Sequence, residues 1–359
     1  LLSAREVIAL PPKVTVVTPT KNRLKLLCET MDSVQAQTFE AWEHLIVDDG
    51  SDDGTAEEVR RRAERDSRIR YIPRTGTKAG ANVCRNLGIR ESNSDLVVLL
   101  DSDDVLRRNC LEMRVGVMDR NVDLDFAVFR AGIFARCIGD TPRLYHDQDP
   151  GDDLLRFLSH ECVWQTSGPI WRRRFLQKIG GFDEALLSMQ DLEMHVRAIC
   201  IGAKYIFLRY IDHDIRGHDD AARTSTRHFR EPAYIEAAER ARNNLYSTVK
   251  NAGLLTWSRR RALLGLTFGL AESWLGVGRA DRAISTWMEG CHRHGAPVHV
   301  KVIGVGMLQL LRCSRSDAGH IFRLVNKWKG RIRFRQEPKL ITAADVIEAK
   351  SSQPARFES

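Results

Sequence analysis

The stretch Leu96-Val97-Val98-Leu99-Leu100-Asp101-Ser102-Asp103-Asp104 runs five apolar residues directly into three carboxylates. A short apolar run without polar alternation reads as a strand covered on both faces, the mark of a parallel sheet flanked by helices. Upstream, Val14–Thr18, Trp42–Val47 and Ile69–Ile72 read as three more strands. Between them lie helical patterns at Leu24–Gln35, where Leu24, Leu27, Met31 and Val34 share a face, at Thr55–Asp66 and at Ala79–Glu91. This strand–helix rhythm predicts an α/β fold with a mainly parallel central sheet and helices on both faces.

Downstream of Asp104 the rhythm loosens. Helices are expected near 106–118, 153–159 and 190–200, and strands near 126–134, 167–171 and 205–210. The stretches 139–153 and 211–228, the second dense in Asp, His, Arg and Thr, read as loops. From Glu231 onward only helical patterns remain, broken near Gly253, Gly278 and Gly295-Ala296-Pro297. The expected organisation is an N-terminal extension over 1–12, an α/β domain over 13–228, a smaller all-helical basic domain over 229–335 and a tail over 336–359.

Composition narrows the function classes. A chain of 359 residues, 43% hydrophobic and 28% charged, is too apolar for a disordered protein and long enough for about two domains. Its net charge of +8 invites a nucleic-acid or membrane reading, but the charge is unevenly placed. Residues 1–228 hold 33 Lys/Arg against 36 Asp/Glu, whereas residues 229–359 hold 22 against 11. The eight cysteines contain no C-x-x-C pair, which argues against a zinc ribbon or disulfide framework and for reduced thiols in a cytoplasmic setting. No signal-peptide pattern opens the chain, and no apolar run approaches the roughly 20 residues of a membrane span. The best candidate, Val298–Leu311, is interrupted by His299, Lys301 and Gln309.

Three segments carry chemistry. Asp101, Asp103 and Asp104 follow a strand end, where ligands of open α/β sheets gather, and clustered carboxylates suit a hard divalent cation. The same residues also read as a solvated, self-capping turn. Asp48, at the exit of the second strand in Asp48-Asp49-Gly50-Ser51-Asp52-Asp53-Gly54-Thr55, can accept hydrogen bonds from a base or ribose, while Asp53 and Thr55 read as helix caps. Arg85, in Gly80-Ala81-Asn82-Val83-Cys84-Arg85-Asn86-Leu87-Gly88, can reach a diphosphate with paired donors or tie an acidic turn in place. Trp164 and Trp171 read first as core residues and second as a sugar platform. The spacing of Asp212, His213, Asp214, His218, Asp219 and Asp220 fits no zinc pattern.

In order, Thr18-Pro19-Thr20-Lys21-Asn22-Arg23, the Asp48–Thr55 turn, Arg85-Asn86-x-Gly88, Leu100-Asp101-Ser102-Asp103-Asp104, Gly180-Gly181-Phe182-Asp183-Glu184 and Gln190-Asp191-Leu192-Glu193-Met194 resemble the family 2 glycosyltransferases of the GT-A fold. The likeness covers about residues 13–228. It implies a Rossmann-like domain binding a nucleotide-sugar donor, with Thr18, Thr20, Asp48, Arg85 and Asp101 on the donor side. It further implies Asp103, Asp104 and His218 as metal-side residues for Mn²⁺ or Mg²⁺, with Arg216 beside them. Asp183, Glu184, Gln190 and Glu193 fall on the acceptor side, and Asp191 matches the general base. Two positions depart from the pattern: Thr20 stands where many members place a base-stacking Tyr, and Gln190-Asp191 replaces the usual Glu-Asp pair.

The resemblance therefore implies a metal-dependent, inverting hexosyltransferase that moves a sugar from a nucleoside diphosphate, most simply UDP, to a hydroxyl of a glycan or lipid-linked acceptor. A nucleotidyltransferase, disfavoured by the acceptor-side Gln190-Asp191 segment, a non-catalytic nucleotide-sugar sensor or scaffold, and a basic nucleic-acid-binding protein are the alternatives. The division of charge speaks against nucleic acid and points the basic run Lys327-Trp328-Lys329-Gly330-Arg331-Ile332-Arg333-Phe334-Arg335 toward solvent, an acidic partner protein or the anionic inner face of a membrane.

Overall fold

The computed structural model describes residues 11–141, 143–145, 151–161, 163–217 and 231–313. His218, the basic run 327–335, most of the N-terminal extension and the tail lie outside these residues.

The first half follows the sequence pattern closely. Strands β1 (Val14–Thr20), β2 (Trp42–Asp48), β3 (Ile69–Pro73) and β4 (Leu96–Leu99) alternate with helices α1 (Leu24–Gln35), α2 (Thr55–Ala63) and α3 (Ala81–Glu91). The four strands lie side by side in the order β3-β2-β1-β4, all parallel. Next come β5 (Val105–Leu106), α4 (Cys110–Arg120), β6 (Phe126–Phe134), β7 (Arg143–Leu144), α5 (Asp153–Leu158), β8 (Pro169–Arg172), α6 (Arg173–Lys178), α7 (Gln190–Cys200) and β9 (Tyr205–Arg216). They extend the sheet as β8-β6-β9-β5, with β7 on β6. Here β8 runs antiparallel to both β4 and β6, so the sheet is parallel on one side and mixed on the other.

Alternation along the strands sends side chains to two cores. Val17, Val97 and Leu99 join Cys84 and Ile89 of α3 and Leu192 and Val196 of α7 in one cluster. Val14, Val16, Leu96 and Val98 join Leu27 and Met31 of α1 and Leu111 and Val115 of α4 in the other. Both faces are thus covered, as near-continuous apolar strands require. Gly88 is needed on α3 because a Cβ there would overlap the side chain of Val17.

The segment 211–216, read as loop, is a strand instead. Ile211–Arg216 completes β9 and is buried along its length. Its charges are matched one by one: Asp212 with Arg114, Asp214 with Arg107, Arg216 with Glu29. Long-range ion pairs therefore override the local polarity on which the loop reading rests.

The remaining chain is helical, with α8 (Pro232–Asn251), α9 (Trp257–Gly276), α10 (Ala280–Arg293) and α11 (Val298–Cys313). Trp274, Trp287, Phe268 and Leu308 centre a core of their own. Leu245 and Val249 of α8 and Ala262, Leu263 and Leu266 of α9 instead belong to the same cluster as α7 and the sheet. No described helix is long and apolar enough to cross a membrane.

Candidate active site

A cleft of about 610 Å³ opens beside the carboxyl ends of β1 and β4. It is lined by Thr20, Lys21 and Arg23 after β1, Asp49 after β2, Ala81, Cys84 and Arg85 on α3, and Asp101–Asp104 after β4. Gln165 and Thr166 before β8 and Ser188–Leu192 at the start of α7 close the far side. Parallel strands make this convergence: β1 pairs Thr20 with Asp48, and β4 ends one residue before Leu100, whose N–H reaches Val17 O at 2.9 Å.

The acidic turn is held from several directions. Arg85 Nη2 lies 2.6 Å from Asp101 Oδ1, and Arg23 Nη1 lies 2.9 Å from Asp103 Oδ2. Asp104 is buried, accepting from Ser167 Oγ at 3.0 Å and from the Arg216 N–H at 3.2 Å. Burial, with Asp103 and Asp101 adding repulsion, pushes its carboxyl well above the usual carboxylate range. Arg216 also donates Nε–H to Asp103 O at 3.2 Å and pairs with Glu29, so it backs the turn from behind.

Among the described residues no three His, Cys, Asp or Glu side chains converge as a preformed cation cage. The donors fit a different arrangement, a hard cation held by one or two carboxylates with water and phosphate oxygens completing its shell. Asp101 and Asp103 are partly exposed on the cleft wall and have the right chemistry for that role. Asp104, expected beside them, is committed to Ser167 and Arg216.

Asp191 stands in the first turn of α7, whose N-cap Met189 adopts φ 59° and offers no side-chain cap. Its Oδ1 accepts the Leu192 N–H at 2.8 Å, one of the helix's unpaired donors. Burial raises its pKa above the ordinary value, with Arg85 pulling it down and Asp101 pushing it up, so both groups act on it through the cleft. Gln190 lines the same wall.

Other predicted residues take supporting places. Asp48 is 2% exposed, with Oδ1 bonded to the Ser51 N–H and Oγ at 3.0 and 2.5 Å and Oδ2 to Tyr71 Oη at 2.7 Å. Its neighbour Asp49 lines the cleft and accepts from Arg74 and the Gly80 N–H. Thr18 is buried against His44 Nε2 at 2.9 Å, whereas Thr20 reaches the cleft with an Oγ1 that has no hydrogen-bond partner among the described residues. Asp183 bonds Asn244 of α8 at 3.2 Å, and Glu184 bonds Asn86 and Lys78, each at 3.1 Å, which holds its carboxyl below the usual range. Glu193 pairs with Arg197. The Gly180–Glu184 motif docks on α3 through Asn86, which exchanges two 2.9 Å bonds with the Phe182 backbone. Trp164 and Trp171 are core residues, 1% and 0% exposed.

The sequence reading did not single out Tyr145, His160, Gln165, Thr166 or Ser188 as lining residues. They come from loops distant in sequence and carry no motif; only the polar run Gln165-Thr166-Ser167 entering an apolar strand could have drawn attention.

Residues 15–168 match the sequence model described as "Glycosyl transferase family 2". A β-1,3-glucosyltransferase of Campylobacter jejuni, named for GalNAc(5)-diNAcBac-PP-undecaprenol, is 36% identical over 100 residues, 28% of this chain and 32% of that protein. The Escherichia coli UDP-Glc:α-D-GlcNAc-diphosphoundecaprenol β-1,3-glucosyltransferase WfgD is 33% identical over 108 residues, 30% of this chain and 42% of its own. An uncharacterized glycosyltransferase of Rickettsia felis is 36% identical over 109 residues, 30% of this chain and 18% of that protein. The matched stretch thus spans well under half the length of these relatives. Over most of the chain the fold is similar to that of Staphylococcus aureus TarS 1–349 in complex with UDP-GlcNAc, at TM-score 0.59 and 18% identity, covering 90% of this chain and 93% of the other. With the motifs assembled around one cleft, the sheet order above and these likenesses in hand, the chain has a GT-A fold, and its residues 15–168 carry the likeness to glycosyltransferase family 2.

Proposed function

We propose that this chain is a cation-dependent, inverting glycosyltransferase that transfers a hexose from a nucleoside-diphosphate donor, UDP-linked in the simplest case, to a hydroxyl of a glycan or lipid-linked acceptor. The observation that carries the reading is the meeting of Arg85, Asp101, Asp103 and Asp191 on one cleft at the carboxyl ends of the strands. Two relatives support this chemistry: one is named for UDP-Glc, and both glucosyltransferases are named for undecaprenol-linked acceptors.

Asp101 and Asp103 would hold a divalent cation, Mn²⁺ or Mg²⁺, which when bound neutralises charge developing on the departing diphosphate. Arg85 adds a fixed guanidinium on the same side. Asp191 takes the acceptor hydroxyl proton as that oxygen bonds to the anomeric carbon. The bond from that carbon to the diphosphate breaks, and its electron pair leaves on the phosphate oxygen. A single base opposite the leaving group gives inversion. A carboxylate whose pKa is raised toward neutrality is a better base than an ordinary one, which suits Asp191. In this reading Asp49, more open to the cleft than Asp48, joins it on the base and ribose side, and Gln190 faces the acceptor.

The test is a screen of nucleotide sugars with Mn²⁺ or Mg²⁺, following nucleoside diphosphate release. Asp103→Ala and Asp191→Asn proteins that turn over at full rate would refute the mechanism.

We also propose peripheral contact with the anionic cytoplasmic face of a membrane, where lipid-linked acceptors are met. Helix α11 contains no acidic residue and leaves Val298, Val302, Ile303 and Leu310 exposed, ahead of the basic run 327–335. Neutralising Lys327, Lys329, Arg331, Arg333 and Arg335 should abolish sedimentation with anionic vesicles; unchanged partitioning would defeat the idea.

A further inference from the structure

A buried hydrogen-bond chain leads from α4 to the floor of the cleft, and its direction can be read bond by bond. Ser167 Oγ accepts the Asp101 N–H at 3.2 Å and donates to Asp104 Oδ2 at 3.0 Å. The Ser167 N–H donates to Gln165 Oε1 at 2.6 Å, which fixes the orientation of that carboxamide. Its Nε2, a donor only, therefore faces His213 Nε2 at 3.2 Å. That ring nitrogen must accept, so the His213 proton sits on Nδ1, 2.7 Å from Asp212 Oδ1. Asp212 in turn receives Arg114 Nε and Nη2 at 2.7 and 3.0 Å. Arg114 Nη2 is also 3.2 Å from His213 Nδ1, but in this tautomer both are donors and that approach is no bond.

Arg114, Asp212, His213 and Ser167 are 0% exposed, and Gln165 is 6% exposed. Burial lowers the His213 pKa, so the neutral ring that the chain requires persists through the physiological range. A buried ion pair and imidazole are costly to place in a core, and apolar residues would fill the same space more cheaply. What apolar residues cannot do is set the rotation of the Gln165 amide and, through it, of Ser167.

We propose that His213 is a positioning residue for the active site: anchored by Arg114 and Asp212, it fixes Gln165 and Ser167, and Ser167 holds both ends of the Asp101–Asp104 turn. The proposal rests on the glycosyltransferase reading of the cleft and adds residues behind its wall, of which Gln165 alone also lines the cleft. It extends the site's machinery to α4 and β9, on the far side of the sheet from α3.

The test is the affinity of the full chain for UDP with Mn²⁺, measured by calorimetry. The proteins compared are wild type, Ser167→Ala, His213→Phe, Gln165→Met and the His213→Phe/Gln165→Met double variant. Leaving a buried partner in the chain unsatisfied predicts about tenfold weaker binding for each single variant. Because His213 acts through Gln165, the double variant should bind no worse than the weaker single one. Fold-losses that multiply to roughly a hundredfold in the double variant would show independent packing effects and overturn the proposal. So would single variants within twofold of wild type. If His213→Phe does not fold, the same cycle with Ser167→Ala and Gln165→Met tests the inner link alone, and additivity there is equally fatal. Wild-type protein with no affinity for any Mn²⁺–nucleoside diphosphate would remove the underlying active-site reading and this proposal with it. Wild-type binding with unaffected variants removes the positioning role only.

Discussion

Arg85 on α3 and Asp101 at the end of β4 form an ion pair in which the guanidinium is 5% exposed and the carboxylate 34% exposed, with Nη2 2.6 Å from Oδ1. The cation is thus anchored in the protein while the anion remains partly open to the cleft. Arg85 also stacks over Phe182 at 5.2 Å, tying the Gly180–Glu184 motif to the same spot.

Replacing Arg85 by Met should leave Asp101 without its partner and remove one positive group from the diphosphate side. We expect kcat/KM for donor turnover to fall by at least about tenfold, since one lost charged hydrogen bond already accounts for that much. Arg85→Lys should recover only part of the loss, because a point charge cannot reproduce the planar fork. Nucleoside diphosphate release measures both.

Asp191→Asn should lower kcat by about 10²- to 10⁴-fold, the range for loss of a general base, with UDP affinity kept. The sign of the pH effect follows from burial. Only the deprotonated carboxylate can take a proton, and its pKa is raised, so activity is lost as pH falls through a value above that of an ordinary Asp. The acid limb of kcat/KM against pH should show this, and an acid limb at or below the ordinary Asp value would contradict the assignment.

Gly181 has φ +63°, and a Cβ there would overlap the carboxamide of Asn86. Gly181→Ala should therefore combine backbone strain with displacement of Asn86 from the Phe182 backbone, costing about 2 kcal/mol in urea unfolding. Because the same clamp precedes the Ser188–Asp191 wall, turnover should fall as well. An alanine variant of wild-type stability would refute the clamp.

His195 is buried among Phe157, Trp164 and Trp171, at centroid distances of 5.6, 5.6 and 6.0 Å, with neither ring nitrogen hydrogen-bonded among the described residues. Burial lowers its pKa from 6.5 to about 3. The unfolded chain then takes up a proton below pH 6.5 that the folded protein refuses until about pH 3. This histidine therefore removes stability progressively as pH falls across that window. His195→Phe should abolish the loss and raise stability at pH 5 relative to pH 7.5 by about 2 kcal/mol, compared by chemical denaturation at the two values.

The parallel half of the sheet was legible because its strands are local apolar runs and its turns carry their own chemistry; Leu96–Asp104 announces both. The Ile211–Arg216 half of β9 was not. Asp212, His213, Asp214 and Arg216 look solvated until Arg114, Arg107 and Glu29, each about a hundred or more residues away in sequence, are brought beside them. The same limit hid Gln165 and Ser167, whose importance lies in contacts with Asp101, Asp104 and His213. Asp48 illustrates the converse: its motif was visible, but Tyr71 and Ser51, which occupy its carboxylate, were not predictable from the turn itself.

Helix α7 carries Asp191 at one end and is pressed between the sheet and α8, whose Leu245 and Val249 complete its apolar cluster, while Asn244 reaches back to Asp183. The helical region is thus a brace for Asp191, the base of the proposed mechanism. Cutting the chain after the α/β domain would strip a wall from that helix, and grafting a foreign helical region onto it would require matching the α7 surface.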